Sequence, residues 1–194
     1  MHPQPNYELF DRAHALRVAD LTCAIALQAG LSARVADRYK KAAYLHDYGK
    51  IFLPADLLNK QGPLSDVEYE KIKEHISYGF DSLAISKIKD QSTCADVALL
   101  HHERLNGSGY IGLRAKAICA AARIVAIADV FDAMTHDRPY KKAKPVYEAL
   151  AYLTDYSGLL FDELFVKALI CICKTKSTDR CLSNEAYSRR TDAN

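Results

Sequence analysis

Apolar residues recur along this chain at the three- and four-residue spacing that places them on one face of an α-helix. The first such segment extends from Tyr7 to Gln28. Its stripe contains one histidine among apolar side chains: Phe10, His14, Val18, Leu21 and Ile25. Gly30 is expected to end this helix, and Ser32 is a suitable N-cap for a second helix that reaches about His46.

The remaining pattern is also helical. Ser65 and Glu68 form a capping-box sequence that opens a helix carrying His75, with a bend expected near Gly79. The other predicted helices are Ala55–Leu58, Ser92–Leu100, Lys116–His136, Pro145–Leu153 and Phe161–Cys173. No useful strand-like alternation is present, so the sequence predicts an all-α bundle. We expect a leader at 1–9, one domain at 10–173 and a polar tail at 174–194.

Composition narrows the function classes. The chain has 194 residues, of which 49% are hydrophobic, and a net charge of +2. This charge gives no reason to expect a nucleic acid polymer or an anionic membrane as an obligate partner. Six cysteines without a CxxC pair indicate reduced thiols, so we expect a cytoplasmic protein. No signal-like N-terminus and no apolar segment of membrane-spanning length is visible.

Histidines and aspartates supply the candidate chemistry. Taken singly, each has an ordinary explanation, such as a hydrogen-bonded core histidine or a solvated one. Taken together, they are a set that suits metal ions: His14, His46, Asp47, His75, His101, His102 and Asp129. Seven N/O ligands exceed the need of one tetrahedral zinc but suit two octahedral ions, for which iron or manganese is favoured. Asp132 lies one helical turn after Asp129 and also needs a partner.

The order of these residues resembles the HD-GYP family, a branch of the HD superfamily of metal-dependent phosphohydrolases. The resemblance extends over roughly residues 10 to 173. Its motifs are His14–Val18, His46–Lys50, Leu58–Glu68 leading into His75–Gly79, His101–Tyr110, Ala122–Tyr140 and Ser157–Asp162.

The resemblance implies roles for these residues. One metal would be held by His14, His46, Asp47 and Asp129, and a second by His75, His101 and His102, with Asp47 as the bridge. Asp47 and Lys50 would be catalytic. The positions that match substrate contacts are Lys50, Asp132, Arg138 and Lys141. The implied reaction is hydrolysis of cyclic di-GMP to linear pGpG, and in some members on to GMP, by a metal-bridging hydroxide.

Some positions depart from the family pattern. Phe10 stands where members with a third metal have a glutamate, so we expect two metals. Asn106 replaces an aspartate, Ile111 replaces the proline of Gly-Tyr-Pro, and Tyr48 replaces a smaller residue. Because isoleucine does not fix φ as proline does, we expect the loop from Asn106 to Arg114 to sample more conformations and to weaken cyclic di-GMP affinity.

Two other functions stay open from the sequence. The fold could serve as a sensor or interaction module that binds cyclic di-GMP or a diguanylate cyclase (GGDEF) domain, which the loop substitutions favour and the intact ligand set opposes. It could also hydrolyse another nucleotide, since the wider superfamily cleaves several. The sequence does not determine the oligomeric state or the regulatory input.

Overall fold

The structure, a computed structural model, describes residues 3–137 and 142–175. Within these ranges it contains helices, turns and two isolated β-bridges, but no strand. The helices are α1 Arg12–Gln28, α2 Ala33–Tyr44, α3 Ala55–Leu58, α4 Asp66–Lys73, α5 His75–Ala84, α6 Gln91–Leu100, α7 Ala120–Thr135, α8 Val146–Asp155 and α9 163–175. The 3-10 turns are Tyr7–Leu9, Tyr48–Phe52 and Ala115–Ala117. The predicted all-α bundle is confirmed.

The first helix begins five residues later than its apolar stripe suggested. Asp11 is the N-cap, and its carboxylate accepts a hydrogen bond from the His14 N–H at 3.0 Å. The preceding residues form a separate 3-10 turn capped by Asn6. Phe10 lies between the turn and the helix, where its ring packs edge-on against Tyr44 and Tyr48. Local capping therefore overrode the apolar periodicity.

The His46-Asp47 pair lies in a turn and not on a helix. The second helix has the predicted N-cap, Ser32, but it ends at Tyr44. The chain then turns through Leu45 and continues into the 3-10 turn that carries Lys50. This correction matters for the site, because a turn can point adjacent side chains in directions that a regular helix does not allow.

The capping box is confirmed, but the helix that it opens is shorter than predicted. Ser65 and Glu68 exchange the two expected hydrogen bonds. The helix breaks at Glu74, five residues before Gly79, and α5 begins at His75. The Ile72 carbonyl accepts from the ring Nδ1 of His75 at 2.7 Å and also from the Glu74 N–H. In a continuous helix, this carbonyl would instead accept a hydrogen bond from the N–H four residues later.

The seventh helix is the centre of the core. Its side chains Ile124, Val125 and Ile127 are fully buried. It packs against α1, α6 and α8, while α1 also packs against α2, and α5 against α6 and the Tyr48–Phe52 turn. Small residues such as Ala42 and Ala122 are completely buried at these contacts, so the backbones approach closely.

Other boundaries differ modestly from prediction. The seventh helix begins at Ala120, because Ala115–Ala117 form a separate 3-10 turn. The predicted tail lies almost entirely outside the described residues. Within the described ranges, every helix is too short or too polar to traverse a bilayer.

Candidate metal centre

Side chains from distant parts of the chain meet at one end of the bundle. His14 comes from α1, His75 is the first residue of α5, and Asp129 comes from α7. His46 and Asp47 come from the turn after α2, and two histidines come from the end of α6. The structure brings together all seven side chains predicted as ligands: His14, His46, Asp47, His75, His101, His102 and Asp129.

The seven side chains form two adjacent groups. The first group contains His14, His46 and Asp129, and the second contains Asp47, His75, His101 and His102. Within each group the potential ligand atoms lie within 4.8 Å of one another. Ligand atoms about 2.0–2.2 Å from a shared ion would be separated by distances of this order. Each group is therefore compact enough to surround one ion.

Asp47 faces both groups with different oxygens. Its Oδ2 lies 3.3 Å from His46 Nε2 and 3.9 Å from His14 Nε2. Its Oδ1 lies 3.4 Å from His75 Nε2 and 3.7 Å from His101 Nε2. Burial raises the pKa of this carboxyl, but opposing interactions, of which the positive charge of Lys50 is the largest, outweigh burial and hold the pKa well below the ordinary value. The carboxylate is thus ionised and placed between the two groups.

The rings of three histidines are held by backbone carbonyls. Nδ1 lies 2.7 Å from Ala43 O in His46, 2.7 Å from Ile72 O in His75, and 3.0 Å from Val97 O in His101. A carbonyl only accepts, so Nδ1 carries the proton and donates it. The neutral ring then presents its Nε2 lone pair to the centre of the site.

The inward-facing atoms have no hydrogen-bond partner among the described residues. They are the Nε2 atoms of His14, His46, His75 and His101, together with Oδ1 of Asp47, all buried. A buried polar atom without a partner is costly and uncommon. Divalent cations supply the missing partner for this donor set of imidazole nitrogens and carboxylate oxygens, so these residues fit metal ions.

Burial also favours the neutral form of the second-group histidines, which is the form that binds metals. It lowers the pKa of His75 to about 4, lowers that of His101, and lowers that of His102 well below its ordinary value. These rings are therefore neutral near pH 7. Neutral imidazole is the ligating form, because the protonated ring has no free lone pair.

His14 has a different environment. Its Nδ1 donates to Asp132 Oδ2 at 2.6 Å, and its Nε2 lies 3.2 Å from Asp129 Oδ1. Burial lowers its pKa, but the closeness of these two carboxylates outweighs burial and raises the pKa to about 9. Burial raises the pKa of Asp129, but the neighbouring His14 ring outweighs burial and the pKa is lowered.

Asp132 is placed behind His14. It is 3% exposed, and its oxygens also accept hydrogen bonds from Arg17 at 2.7 and 3.0 Å. Burial raises its pKa, but the bonds from His14 and Arg17 prevail and lower it to about 2. Its contacts in the structure are to protein side chains. The substrate contact predicted for Asp132 stays a prediction.

Lys50 borders the site. Its ammonium donates to Asp47 Oδ2 at 2.5 Å. It also lines an open cleft of about 600 Å³ with other polar side chains, among them Asn6, Glu8 and Asn59. A positive group at the junction of a cleft and two metal-ligand groups is suitably placed for an anionic substrate. The other two predicted substrate contacts, Arg138 and Lys141, lie outside the described residues.

Sequence reasoning missed three contributions. Arg17 was part of a motif but had no role, although its spacing of one helical turn from His14 was a usable signal. Glu103 was part of the His101–Tyr110 motif but had no role of its own, whereas its oxygens accept hydrogen bonds from the N–H groups of Ile111 and Leu113. Tyr110 packs on His102 with ring centroids 4.3 Å apart. No local pattern indicated the last two contacts.

Comparison with known proteins agrees with this architecture. A family model described as an HD domain matches residues 6–164. The chain belongs to the HD domain family. A solved structure from Bdellovibrio bacteriovorus, named an HDG"Y"P protein, superposes with a TM-score of 0.70 at 25% identity and covers 88% of this chain and 55% of its own. The resemblance to the HD-GYP family is confirmed.

Two curated relatives of this HD domain have informative names. The cyclic di-GMP phosphodiesterase response regulator RpfG of Xanthomonas campestris pv. campestris is 44% identical over 79% of this chain and 41% of its own length. A cyclic di-GMP phosphodiesterase of Thermotoga maritima is 41% identical over 81% of this chain and 43% of its own length. The chain therefore spans less than half the length of these relatives.

Proposed function

We propose that this HD domain hydrolyses cyclic di-GMP to linear pGpG as a phosphodiesterase that depends on two divalent metal ions, iron or manganese. The main supporting observation is the position of Asp47, whose two oxygens face the two groups of histidines. The names of the two curated relatives support the substrate. Whether the product is cleaved further to GMP is part of the test.

The two compact groups of side chains support the proposed set of ligands. His14, His46 and Asp129 would hold one ion, and His75, His101 and His102 the other, with Asp47 shared. When bound, such ions lower the pKa of a coordinated water and offset charge on phosphate oxygens. Imidazole and carboxylate without thiolate suit iron or manganese.

The protein's own groups would orient the substrate and its charge. The Lys50 ammonium would lie beside a phosphate that entered from the neighbouring cleft, where it would offset the negative charge that grows on the non-bridging oxygens. Asp132 and Arg17 would keep the His14 ring in place. Tyr110 would cover the ring of His102, one of the proposed ligands.

The direct test combines metal analysis with product chromatography. Protein purified without oxygen should contain close to two iron or manganese ions per chain and convert cyclic di-GMP to pGpG. Asp47→Ala should lose both ions and all turnover, because Asp47 touches both groups. The control is Asp37→Ala, which removes an exposed carboxylate of α2 that pairs with Lys41.

Other results would assign other functions. Two bound metals with cyclic di-GMP binding but no turnover would indicate a sensor. A binding test with a GGDEF domain would then be needed. Turnover of a mononucleotide or a different cyclic dinucleotide alone would indicate another phosphohydrolase. Full metal content in Asp47→Ala would show that Asp47 is not the shared ligand.

A further inference from the structure

Glu103 is a buried carboxylate that belongs to neither ligand group. It is 3% exposed and follows the two histidines at the end of α6. Its Oε1 accepts a hydrogen bond from the Ile111 N–H at 2.8 Å, and its Oε2 accepts one from the Leu113 N–H at 2.6 Å. Backbone N–H groups that bind a carboxylate form strong hydrogen bonds, which compensate for its burial.

The loop from Arg104 to Arg114 is wrapped around this carboxylate. Gly107 and Gly112 have φ of +85° and +87°, a conformation that glycine adopts readily. A Cβ at Gly109 would lie only 2.5 Å from both Cα and Oε1 of Glu103. The loop backbone and Glu103 are thus in direct contact along much of the turn.

Tyr110 is the side chain that this arrangement brings to the site. It lies immediately before Ile111, one of the two bonded residues. Its ring packs on His102 at 4.3 Å and lies 6.4 Å from that of His75. The Lys73 ammonium also lies 5.4 Å from the centre of the Tyr110 ring. The loop thereby closes one side of the second ligand group.

We propose that Glu103 is a positioning residue that fixes Tyr110 against His102 through the N–H groups of Ile111 and Leu113. The loop is then already ordered before a cyclic dinucleotide binds, which lowers KM. The effect on KM rests on the proposed function, whereas the ordering of the loop does not. Ile111 acts through its backbone, since its side chain is 46% exposed.

This inference reverses the expectation from the sequence about position 111. A proline there would fix φ but would have no N–H to donate. Ile111→Pro would therefore remove one of the two bonds and leave the buried Oε1 of Glu103 without its partner. We now expect proline to loosen the loop and not to stiffen it.

The test compares Ile111→Pro with Ile111→Ala. Alanine removes the same side chain but keeps the N–H, so it is the matched control. In metal-loaded protein without substrate, Ile111→Pro should accelerate hydrogen exchange of the Leu113 amide by about tenfold or more. Ile111→Ala should exchange at the wild-type rate. With cyclic di-GMP, proline should raise KM several-fold and leave kcat and metal content close to wild type.

Glu103→Gln tests the same hydrogen bonds independently, without introducing a proline that could distort the backbone. Its amide would direct an NH₂ group at one of the two N–H donors, so it should also accelerate Leu113 exchange and raise KM. Glu103→Gln keeps the size of the side chain and, unlike Ile111→Pro, does not restrict the backbone. If Ile111→Pro and Glu103→Gln both accelerate Leu113 exchange and raise KM, the hydrogen bonds to Glu103 are the cause of the ordered loop.

Three outcomes would overturn the inference. Wild-type exchange of Leu113 in both Ile111→Pro and Glu103→Gln would show that the bonds do not order the loop. An equal effect of Ile111→Pro and Ile111→Ala would assign the role to the side chain. Faster exchange of the Leu113 amide with an unchanged KM would show that the order of the loop does not affect the KM for the substrate. If no cyclic dinucleotide is hydrolysed but exchange behaves as expected, the proposed function fails while the loop contact stands.

Discussion

Asp132 holds His14 by the ring nitrogen opposite to the one that faces Asp47 and Asp129. Its carboxylate binds His14 Nδ1 and Arg17 at the same time. Such a carboxylate orients an imidazole and increases its basicity. The role that the structure suggests for Asp132 is thus support of a candidate ligand, which differs from the substrate contact expected from the sequence.

Asp132→Asn separates these two roles. The substitution keeps the size of the side chain but removes its charge. We expect metal affinity at the first group to fall about 10- to 100-fold, with the second group nearly unaffected. The measurement is a calorimetric titration of metal-free protein with Mn²⁺. Asp162→Asn, which disrupts the half-buried Arg123–Asp162 pair elsewhere, is the control. Unchanged metal affinity with a raised KM would favour the substrate contact.

Among the elements, the Tyr48–Phe52 turn and α5 are joined by an unusually close backbone contact. Gly49 and Gly79 face each other there. A Cβ on Gly49 would lie 1.9 Å from the His75 carbonyl oxygen and 2.5 Å from the Gly79 nitrogen. Both obstacles are backbone atoms, which cannot rotate away. This contact sets the distance between Asp47, just before the turn, and His75, at the start of α5.

Gly49→Ala should therefore destabilise the protein by about 3 kcal/mol or more, since overpacking against backbone forces two elements apart. Urea unfolding of metal-free protein measures this change. Gly30→Ala is a useful comparison, because Gly30 has φ of +87° but no atom within 4 Å of the position that a Cβ would occupy. It should cost only about 1–2 kcal/mol of backbone strain. Similar losses for both variants would contradict the close-contact explanation.

The capping box of α4 carries an additional ion pair. Lys60 donates to both oxygens of Glu68, and its hydrogen bond is the main cause that lowers the pKa of Glu68 from 4.5 to about 2. A lowered carboxyl pKa stabilises the fold fully above pH 4.5, where the unfolded chain is also ionised. That contribution is lost as the pH falls from 4.5 towards 2.

Comparison of wild type with Glu68→Gln should show this pH window. Glutamine can still form the capping box, so the difference reports the charge. The stability advantage of the wild type should be constant from pH 7 to pH 5 and shrink between pH 4.5 and pH 3, as measured by urea unfolding. Lys60→Met should make the same pH-dependent difference much smaller, because only the hydrogen bonds with Ser65 then remain. A wild-type profile in Lys60→Met would mean that Lys60 is not the cause.

At the scale of the whole molecule, the candidate metal centre joins helices that are far apart in sequence. His14 of α1, His75 of α5 and Asp129 of α7 meet there together with the turn after α2 and the end of α6. Most of the buried side-chain atoms that lack hydrogen-bond partners in the described part of the chain belong to this centre. Metal binding should therefore stabilise the native arrangement of these five segments against unfolding.

Removal of metal should lower the midpoint of thermal unfolding. Free metal at 100 times its dissociation constant contributes about 2.7 kcal/mol of stability for each site. Thermal unfolding in circular dichroism, with and without a chelator, measures the effect. Re-addition of Mn²⁺ should restore the original midpoint. A midpoint that does not respond to chelator in protein shown to have lost its metal would contradict a structural contribution of the centre.

The sequence by itself determined the helical class, most helix positions and the identity of the residues that converge. These features depend on local causes: apolar spacing, capping residues and glycine stops act within a few residues of one another. The Ser32 cap, the Ser65–Glu68 box and α3 were predicted where the structure has them. The resemblance to a known family placed seven ligand candidates in one site, which periodicity could not have done.

Only the tertiary structure decided which atoms meet. The Asp132 contact with His14 crosses 118 positions of the chain, and the orientation of Asp47 depends on a turn that the helical pattern did not indicate. The Glu103 contact with the Ile111 N–H is made by a backbone group, which looks the same in every residue type except proline. Side-chain identity therefore specified the available chemistry, while the path of the backbone determined where each group acts.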